Sequence, residues 1–213
     1  MRVIALDLDG TLVDCKERQS LLAASLCRAA GFELNIEAFW TAKRAGATTA
    51  SAICGQGIDV PFATKLSKLW VKHIESEAWL RMDRLLPGVI SSLHNVRELG
   101  FRLHLVTARA NERALIRQLR WLSIAPLFDH VEVVCPCEAS QQKAKYLTAV
   151  APIVFIGDSE SDAAAANSAQ IKFVAVTNGQ RSAGYLQART GLRAEDMKSN
   201  LHDAIQGIYD TNR

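Results

Sequence analysis

Five short apolar runs, each ended by polar or small residues, predict β-strands along the chain. They lie at residues 2–8, 101–107, 131–134, 153–156 and 171–176. Apolar positions at helical spacing predict helices between and after them, at residues 89–99, 111–122, 141–149, 162–169 and about 195–209. Strands that alternate with helices imply right-handed crossovers, and therefore a doubly wound parallel sheet of about five strands in the α/β class.

The stretch 15–85 interrupts this alternation. It contains no convincing strand, and helical patterns occupy about 17–30, 35–43, 48–54 and 60–81, separated by glycines. With 213 residues, 49% of them hydrophobic, one domain carrying an insertion suits the chain better than two large domains. We therefore predict an α/β unit formed by residues 1–14 and 86–213, and a small helical insertion of residues 15–85 after the first strand.

Composition narrows the range of partners. Lys and Arg number 25 against 22 Asp and Glu, a net charge of +3, and the basic residues are scattered, so nucleic acid is not implied. No apolar stretch approaches the ~20 residues that span a bilayer, and the chain enters its first strand without room for a secretory signal. Five cysteines, an odd number, indicate free thiols in a reducing compartment, including the close pair Cys135 and Cys137. We expect a soluble cytoplasmic protein.

Two carboxylates, Asp7 and Asp9, stand two residues apart where the first strand meets the turn at Gly10. Like charges at this spacing repel each other, so a chain tolerates them mainly where a cation or a chemical task compensates. An ordinary polar turn is the alternative interpretation, because turns favour Asp and Gly.

Other polar residues also follow predicted strands. Thr107 ends the second strand, Asp158 ends the fourth, and Asp162 comes one helical turn later. Ligands of an open parallel sheet bind beyond the carboxyl ends of its strands, so these side chains should converge. Three or four convergent carboxylates suit a hard divalent cation, and Mg²⁺ is the natural choice because it keeps waters and bridges to a substrate phosphate.

In this order, the residues resemble the motifs of the haloacid dehalogenase superfamily, in its phosphatase branch. Residues 7–11 match the first motif, Asp-x-Asp-Gly-Thr, and residues 157–162 match the fourth, Gly-Asp-x-x-x-Asp; both are specific. Thr107 matches the second motif, and a lysine before the fourth strand, Lys143 or Lys145, matches the third. The resemblance covers the predicted α/β unit and implies a Rossmann-like fold.

The resemblance also implies roles for the first-motif carboxylates. Asp7 would be the nucleophile that forms an aspartyl-phosphate. Asp9 would be the general acid for the leaving group and then the base that activates water, and its carbonyl would bind the metal. The second carboxylate separates the phosphatases from the dehalogenases of the superfamily, which lack it.

The remaining motifs would bind phosphate and metal. Thr107 and Ala108, with one lysine, would hold the phosphoryl oxygens where charge spreads in the transition state. Asp158 would complete the Mg²⁺ site together with the first motif, and Asp162 would orient the site.

Three assignments keep alternatives. Lys143 is favoured over Lys145 because it resembles the family's pattern of a lysine followed four residues later by an apolar core residue, here Leu147, although the family often has proline where Ala144 stands. Arg109 would either reach a remote group of the substrate or cap the next helix through Glu112. Asp14 is expected to cap the first helix of the insertion.

The insertion resembles the small helical C1 cap of the superfamily, a lid that excludes water and selects the substrate. Lys43 and Arg44, beside a flexible glycine, would face the substrate, or else belong to an ordinary helix connection. The aromatic residues of this stretch are expected to form its own core, at Phe39, Trp40, Trp70 and Trp79.

The sequence thus predicts a Mg²⁺-dependent phosphomonoester hydrolase that acts on a small phosphorylated metabolite. The alternatives are a phosphomutase or phosphotransferase of the same fold, a phosphonate hydrolase using Lys43, or a non-catalytic binding module on this scaffold. Neither the substrate nor the oligomeric state can be read from the sequence.

Overall fold

The computed structural model describes residues 2–210, which divide into two compact units. The first comprises the residues up to Asp14 and those from Arg84 onward, and the second is Cys15–Asp83. The strands are β1 (Val3–Leu6), β2 (Val13–Asp14), β3 (Arg84–Leu85), β4 (Arg102–Ala108), β5 (His130–Val134), β6 (Val154–Gly157), β7 (Phe173–Val176) and β8 (Met197–Lys198).

The first unit is built on a six-stranded sheet in the order β5-β4-β1-β6-β7-β8, with every neighbouring pair parallel. The predicted α/β class and parallel sheet are confirmed. The sheet has one strand more than expected, because β8 is only two residues long and has no apolar run. The chain leaves β1 toward β4 on one side and later adds β6 on the other, which makes the end of β1 the topological switch point.

Helices lie on both faces of this sheet, because successive strand residues point to opposite sides. From β1, Ile4 and Leu6 pack into one core with α6, α7 and α11, whereas Ala5 joins a second core with α8, α9 and α10. These helices are α6 (Val89–Glu98), α7 (Glu112–Trp121), α8 (Ala139–Val150), α9 (Glu160–Ser168), α10 (Ala183–Thr190) and α11 (Leu201–Asp210).

Two helix predictions are corrected in this unit. Sequence periodicity missed α10, an eight-residue helix with a single buried position, Leu186. The last helix begins at Leu201 rather than near 195, since residues 194–198 form a 3-10 turn and β8.

The second unit contains α1 (Lys16–Ala29), α2 (Ile36–Arg44), α3 (Thr49–Cys54), α4 (Val60–His73) and α5 (Glu77–Leu80). The single helix predicted at 60–81 is therefore two. Phe39 and Trp40 are buried as expected, and the Trp70 indole N–H donates to the Gln19 carbonyl at 2.9 Å. A buried ion pair joins Arg18 to Asp83 at 2.9 Å.

The chain passes from the first unit to the second after β2 and returns to it at β3, and both strands are short. β2 and β3 pair antiparallel, with Asp14 opposite Arg84. Asp14 therefore lies in a strand, and the N-cap residue of α1 is Cys15, which corrects the predicted cap.

The expectation of free thiols holds for Cys15, Cys27 and Cys54 but is wrong for the remaining pair. A disulfide joins Cys135 and Cys137. Pro136 turns the chain after β5 and leaves the two Cα atoms 5.4 Å apart, within the range that a disulfide spans. Within residues 2–210, no helix combines the length and apolar character needed to cross a bilayer.

Candidate active site

The turn after β1 places the first two carboxylates. The Asp7 N–H donates to the Ile156 carbonyl of β6 at 2.9 Å, which extends the sheet by one residue before the chain turns. Gly10 then adopts a left-handed backbone with φ of 83°, a conformation that costs other residues more. The Asp7 side chain is buried beside the sheet, whereas that of Asp9 keeps 19% of its surface exposed.

Lys143 of α8 connects the first and fourth motifs. Its ammonium donates to Asp7 Oδ1 and to Asp162 Oδ1, each at 2.6 Å. Leu147, one turn later, is fully buried in the core, whereas Lys145 is exposed. The structure thus brings Lys143, and not Lys145, into the carboxylate cluster.

Asp162 is fixed by the first turn of α9. It forms a capping box with Ser159, whose hydroxyl donates to Asp162 Oδ2 at 2.6 Å and accepts from the Asp162 N–H at 3.2 Å. A Cβ on Gly157 would lie 2.7 Å from the Asp162 Cβ, so the glycine permits this approach. Asp162 therefore presents Oδ1 to Lys143 in a fixed direction.

Asp158 is fully buried at the end of β6. Its Oδ2 accepts from the Gln180 N–H, and within the described part of the chain no hydrogen-bond partner reaches Oδ1. Gln180 also donates its side-chain amide to the Asp9 carbonyl at 3.0 Å. The Asp9 carbonyl and the Asp158 carboxylate are therefore both hydrogen-bonded to the same residue, Gln180.

Sequence reasoning missed the role of this loop after β7. A Cβ on Gly10 or on Gly179 would overlap Asp158 Oδ2, so two glycines make room for the carboxylate. The signal that could have found it is Gly179, three residues after the end of β7, followed by the amide of Gln180.

The cluster carries an excess of negative charge. Asp7, Asp158 and Asp162 each offer an oxygen within 4.8 Å of the others, against one Lys143 ammonium. Burial raises the pKa of Asp7 to about 7; Lys143 counteracts this in part, while Asp162 and Asp9 add to it. Burial, followed by the charges of Asp7 and Asp162, raises the pKa of Asp158 well above its ordinary value. Although burial alone would lower the pKa of Lys143, Asp162 and Asp7 raise it above the ordinary lysine value.

These residues fit a hard divalent cation. The orphaned Asp158 Oδ1, the convergent carboxylate oxygens and the space kept by two glycines form an all-oxygen site with unbalanced negative charge. Asp7, Asp158 and the Asp9 carbonyl are the groups that could hold Mg²⁺.

Arg109 does not form the predicted ion pair with Glu112, and its predicted contact with a remote group of the substrate stays a prediction. Its guanidinium donates to Asp9 Oδ1 at 2.6 Å and to Gln118 Oε1 at 3.3 Å, so Glu112 is not its partner. The N-terminus of α7 is capped instead by Asn111, whose Oδ1 accepts from the Ala114 N–H at 3.0 Å. Arg109 is buried and therefore fixes the direction of the Asp9 carboxylate.

Thr107 and Ala108 end β4 at the same edge of the sheet. The last residues paired between β1 and β4 are Leu6 and Leu105, and Asp7 and Thr107 follow them closely along the chain. Thr107 is 2% exposed. The structure thus places the second motif one strand from the first.

Lys43 and Arg44 belong to the helical unit, in the last turn of α2. The Lys43 ammonium donates to Thr49 Oγ1 at 3.2 Å and lies 5.4 Å from the centre of the Trp70 ring. Lys43 thus has partners within its own unit, and the predicted contact of both residues with substrate stays a prediction.

Comparison with known proteins gives concordant results. A family model described as haloacid dehalogenase-like hydrolase matches residues 4–176. A phosphoglycolate phosphatase of Rhodobacter capsulatus is 26% identical over 224 residues, covering 96% of this chain and 94% of the relative. Among solved structures, a predicted phosphatase from Clostridium acetobutylicum has a TM-score of 0.74 at 16% identity, covering 98% of each chain. A hydrolase from Pseudomonas syringae has a TM-score of 0.66 at 19% identity, covering 99% of each chain.

Proposed function

The chain belongs to the haloacid dehalogenase-like hydrolase family and is a phosphatase of that family; from this premise we propose that it hydrolyses small phosphomonoesters through an aspartyl-phosphate on Asp7, with Mg²⁺. One observation carries the proposal: the Lys143 ammonium bridges Asp7 and Asp162 beside the orphaned oxygen of Asp158. Folding alone does not require four buried charged groups at the switch point of a sheet.

In the first step, the Asp7 carboxylate attacks phosphorus. Lys143 holds Oδ1 at 2.6 Å, which leaves the second oxygen to form the new O–P bond. The bond from phosphorus to the ester oxygen breaks, and that oxygen takes a proton from Asp9. Thr107 and Lys143 stabilise the charge that develops on the phosphoryl oxygens.

In the second step, Asp9 acts in the opposite direction. It accepts a proton from water, whose oxygen attacks phosphorus and releases inorganic phosphate and the Asp7 carboxylate. Arg109, at 2.6 Å from Asp9 Oδ1, sets the direction of the carboxylate that moves the proton.

Asp7, Asp158 and the Asp9 carbonyl would hold Mg²⁺, which when bound neutralises negative charge on the site and on the phosphate. Asp162 orients Lys143. Residues 15–83 would act as a cap, with Lys43 and Arg44 as candidates for contact with the alcohol part of the ester.

The relative from Rhodobacter capsulatus makes phosphoglycolate the first substrate to test. Sugar phosphates, nucleotides and amino-acid phosphates complete the panel, because the identity of 26% does not fix the alcohol. We expect phosphate release with Mg²⁺, and its loss with EDTA.

Paired variants test the mechanism. Asp7→Asn should abolish phosphate release, and Lys143→Met should lower kcat/KM by about 10²–10³-fold, the scale of losing one transition-state contact. Lys145→Met, a change of the same type at an exposed position, should leave kcat/KM unaltered. An active Asp7→Asn enzyme would refute the proposal, and phosphate transfer seen only with an added acceptor would identify a phosphotransferase.

A further inference from the structure

The disulfide between Cys135 and Cys137 lies outside the groups used in the proposed reaction. Both cysteines are exposed, directly after β5, whereas Cys15 and Cys27 are buried. Small molecules in solvent therefore have access to both sulfurs. Within the described chain, Cys135 and Cys137 are the two exposed cysteines, whereas Cys54 is only partly exposed.

This disulfide is poorly suited to stabilising the fold. The entropy that a cross-link removes from the unfolded chain grows with the length of the loop it closes. Here the loop encloses only Pro136, so its contribution is at the lowest end of that scale. Both cysteines are also exposed, so the pair adds little to the core, and a chemical role accounts better for it.

The pair is connected to the helix that carries Lys143. The Cys135 N–H donates to Gln142 Oε1 at 2.9 Å, and Gln142 donates its side-chain amide to Glu138 Oε2 at 2.7 Å. Pro136–Glu138 form a 3-10 turn that leads directly into α8. A change in the backbone at Cys135 therefore reaches the first turns of α8, where Gln142 immediately precedes Lys143.

We propose that Cys135 and Cys137 form a thiol–disulfide exchange site that reacts reversibly with small-molecule disulfides and dithiols, and that closing the pair orders the start of α8. In the closing direction, one cysteine thiolate attacks a sulfur of the small disulfide, whose S–S bond breaks and releases one thiolate. The second cysteine thiolate then attacks the mixed disulfide, forms the Cys135–Cys137 bond and expels the second small thiolate.

The exchange balances in both directions. Two protein thiols are oxidised and one small disulfide is reduced to two thiols, which take up the two protons that the cysteines lose. A small dithiol reverses both steps and is itself oxidised to its cyclic disulfide.

Alkylation of the full chain tests the exchange. The protein is reduced with dithiothreitol, desalted, treated with glutathione disulfide, then denatured in guanidinium chloride that contains iodoacetamide, and analysed by mass spectrometry. Full reduction should give five labels, one for each cysteine, and treatment should reduce them to three, with the missing labels at Cys135 and Cys137. Dithiothreitol should restore all five.

Matched variants locate the reacting sulfurs. Cys54→Ser, which removes a free cysteine, should still lose two labels on treatment. Cys135→Ser should form no internal disulfide and should retain one glutathione on Cys137. Five labels kept by the wild-type protein after treatment, or labels lost at other cysteines, would overturn the exchange site.

Hydrogen exchange tests the connection to α8. Amides of Cys135 and of residues 142–144 should exchange faster in the reduced protein than in the oxidised one, while α9 serves as an internal reference. Cys137→Ser should show the faster exchange under both conditions. Equal exchange in the two wild-type states would overturn the ordering of α8. Neither measurement depends on the proposed hydrolysis.

Discussion

Replacing Asp7 by asparagine should stabilise the metal-free protein at alkaline pH while removing the proposed nucleophile. Asp7 lies in a buried cluster with more carboxylates than cations, and its pKa is raised from 3.8 to about 7, first by burial. Between about pH 4 and pH 7, Asp7 is therefore protonated in the folded protein but ionised in the unfolded chain. The free energy of unfolding accordingly falls as pH rises from about 4 to about 7.

The size of the effect follows from this shift. One pKa unit corresponds to about 1.4 kcal/mol, so a rise from 3.8 to about 7 makes the ionised carboxylate cost about 4 kcal/mol above pH 7. At pH 5, where Asp7 is protonated in the folded protein and ionised in the unfolded chain, Asp7 lowers the free energy of unfolding by about 2 kcal/mol. Asparagine is uncharged and keeps an oxygen to accept from Lys143. Asp7→Asn should therefore gain about 4 kcal/mol at pH 8 and about half of that at pH 5.

Urea denaturation in EDTA at pH 5 and pH 8, followed by circular dichroism, measures this difference. In thermal melts, about 4 kcal/mol corresponds to roughly 10 °C in Tm for a chain of this size. Glu98→Gln, at an exposed carboxylate of α6, is the control and should change stability by less than about 0.5 kcal/mol. The reasoning is refuted if Asp7→Asn is no more stable than wild type at pH 8, or if its gain is the same at both pH values.

Three further predictions concern the metal site and the helical unit. Saturating Mg²⁺ should raise the Tm of the wild-type protein in differential scanning fluorimetry, because binding adds about 2.7 kcal/mol of stability at a Mg²⁺ concentration 100 times Kd. Asp158→Asn should lose this shift, and a shift that it retains would place the metal elsewhere. Arg18→Met removes the ion-pair partner of the buried Asp83 carboxylate and should cost about 3–5 kcal/mol of stability in urea denaturation. Arg81→Met, at the exposed ion pair with Glu77, should cost less than about 1 kcal/mol. Equal losses in the two variants would contradict the argument from burial. Gly179→Ala places a Cβ against the Gly10 carbonyl and should abolish the Mg²⁺-induced Tm shift, while Gly184→Ala, which meets nothing in α10, should leave that shift intact; a normal Mg²⁺ response in the first variant would show that the loop yields.

The sequence was most informative where a chemical demand and a structural pattern coincide. The apolar run before Asp7 predicted both a core strand and a charged group at its end, and the structure shows the two together. Lys143 could be preferred over Lys145 because the segment resembles the family's pattern of a lysine four residues before an apolar core residue, and Leu147 is indeed buried. Such local patterns predict structure well because apolar spacing along the chain reflects which positions are buried.

What could not be predicted depends on contacts between distant parts of the chain. The Arg109 guanidinium reaches Asp9 across 100 positions, whereas the sequence offered the nearby Glu112 as one of two alternative partners. Gln180 meets the Asp9 carbonyl across 171 positions. The Cys135 pair was misjudged because an odd cysteine count describes the whole chain and says nothing about a turn at Pro136.

The paired crossing strands make the helical unit a removable module. Val13 lies opposite Leu85, so the chain leaves the α/β unit and returns to it at adjacent positions. For the fold of the α/β unit, the residues between β2 and β3 act like the loop of a β-hairpin. The entropic cost of closing such a loop rises only with the logarithm of its length. Helical units of other sizes, or a short turn, could thus be joined to the same two strands without altering the register of the sheet. If residues 15–83 act as the proposed cap, exchange of this segment would change the substrate without altering the carboxylate cluster of the proposed mechanism.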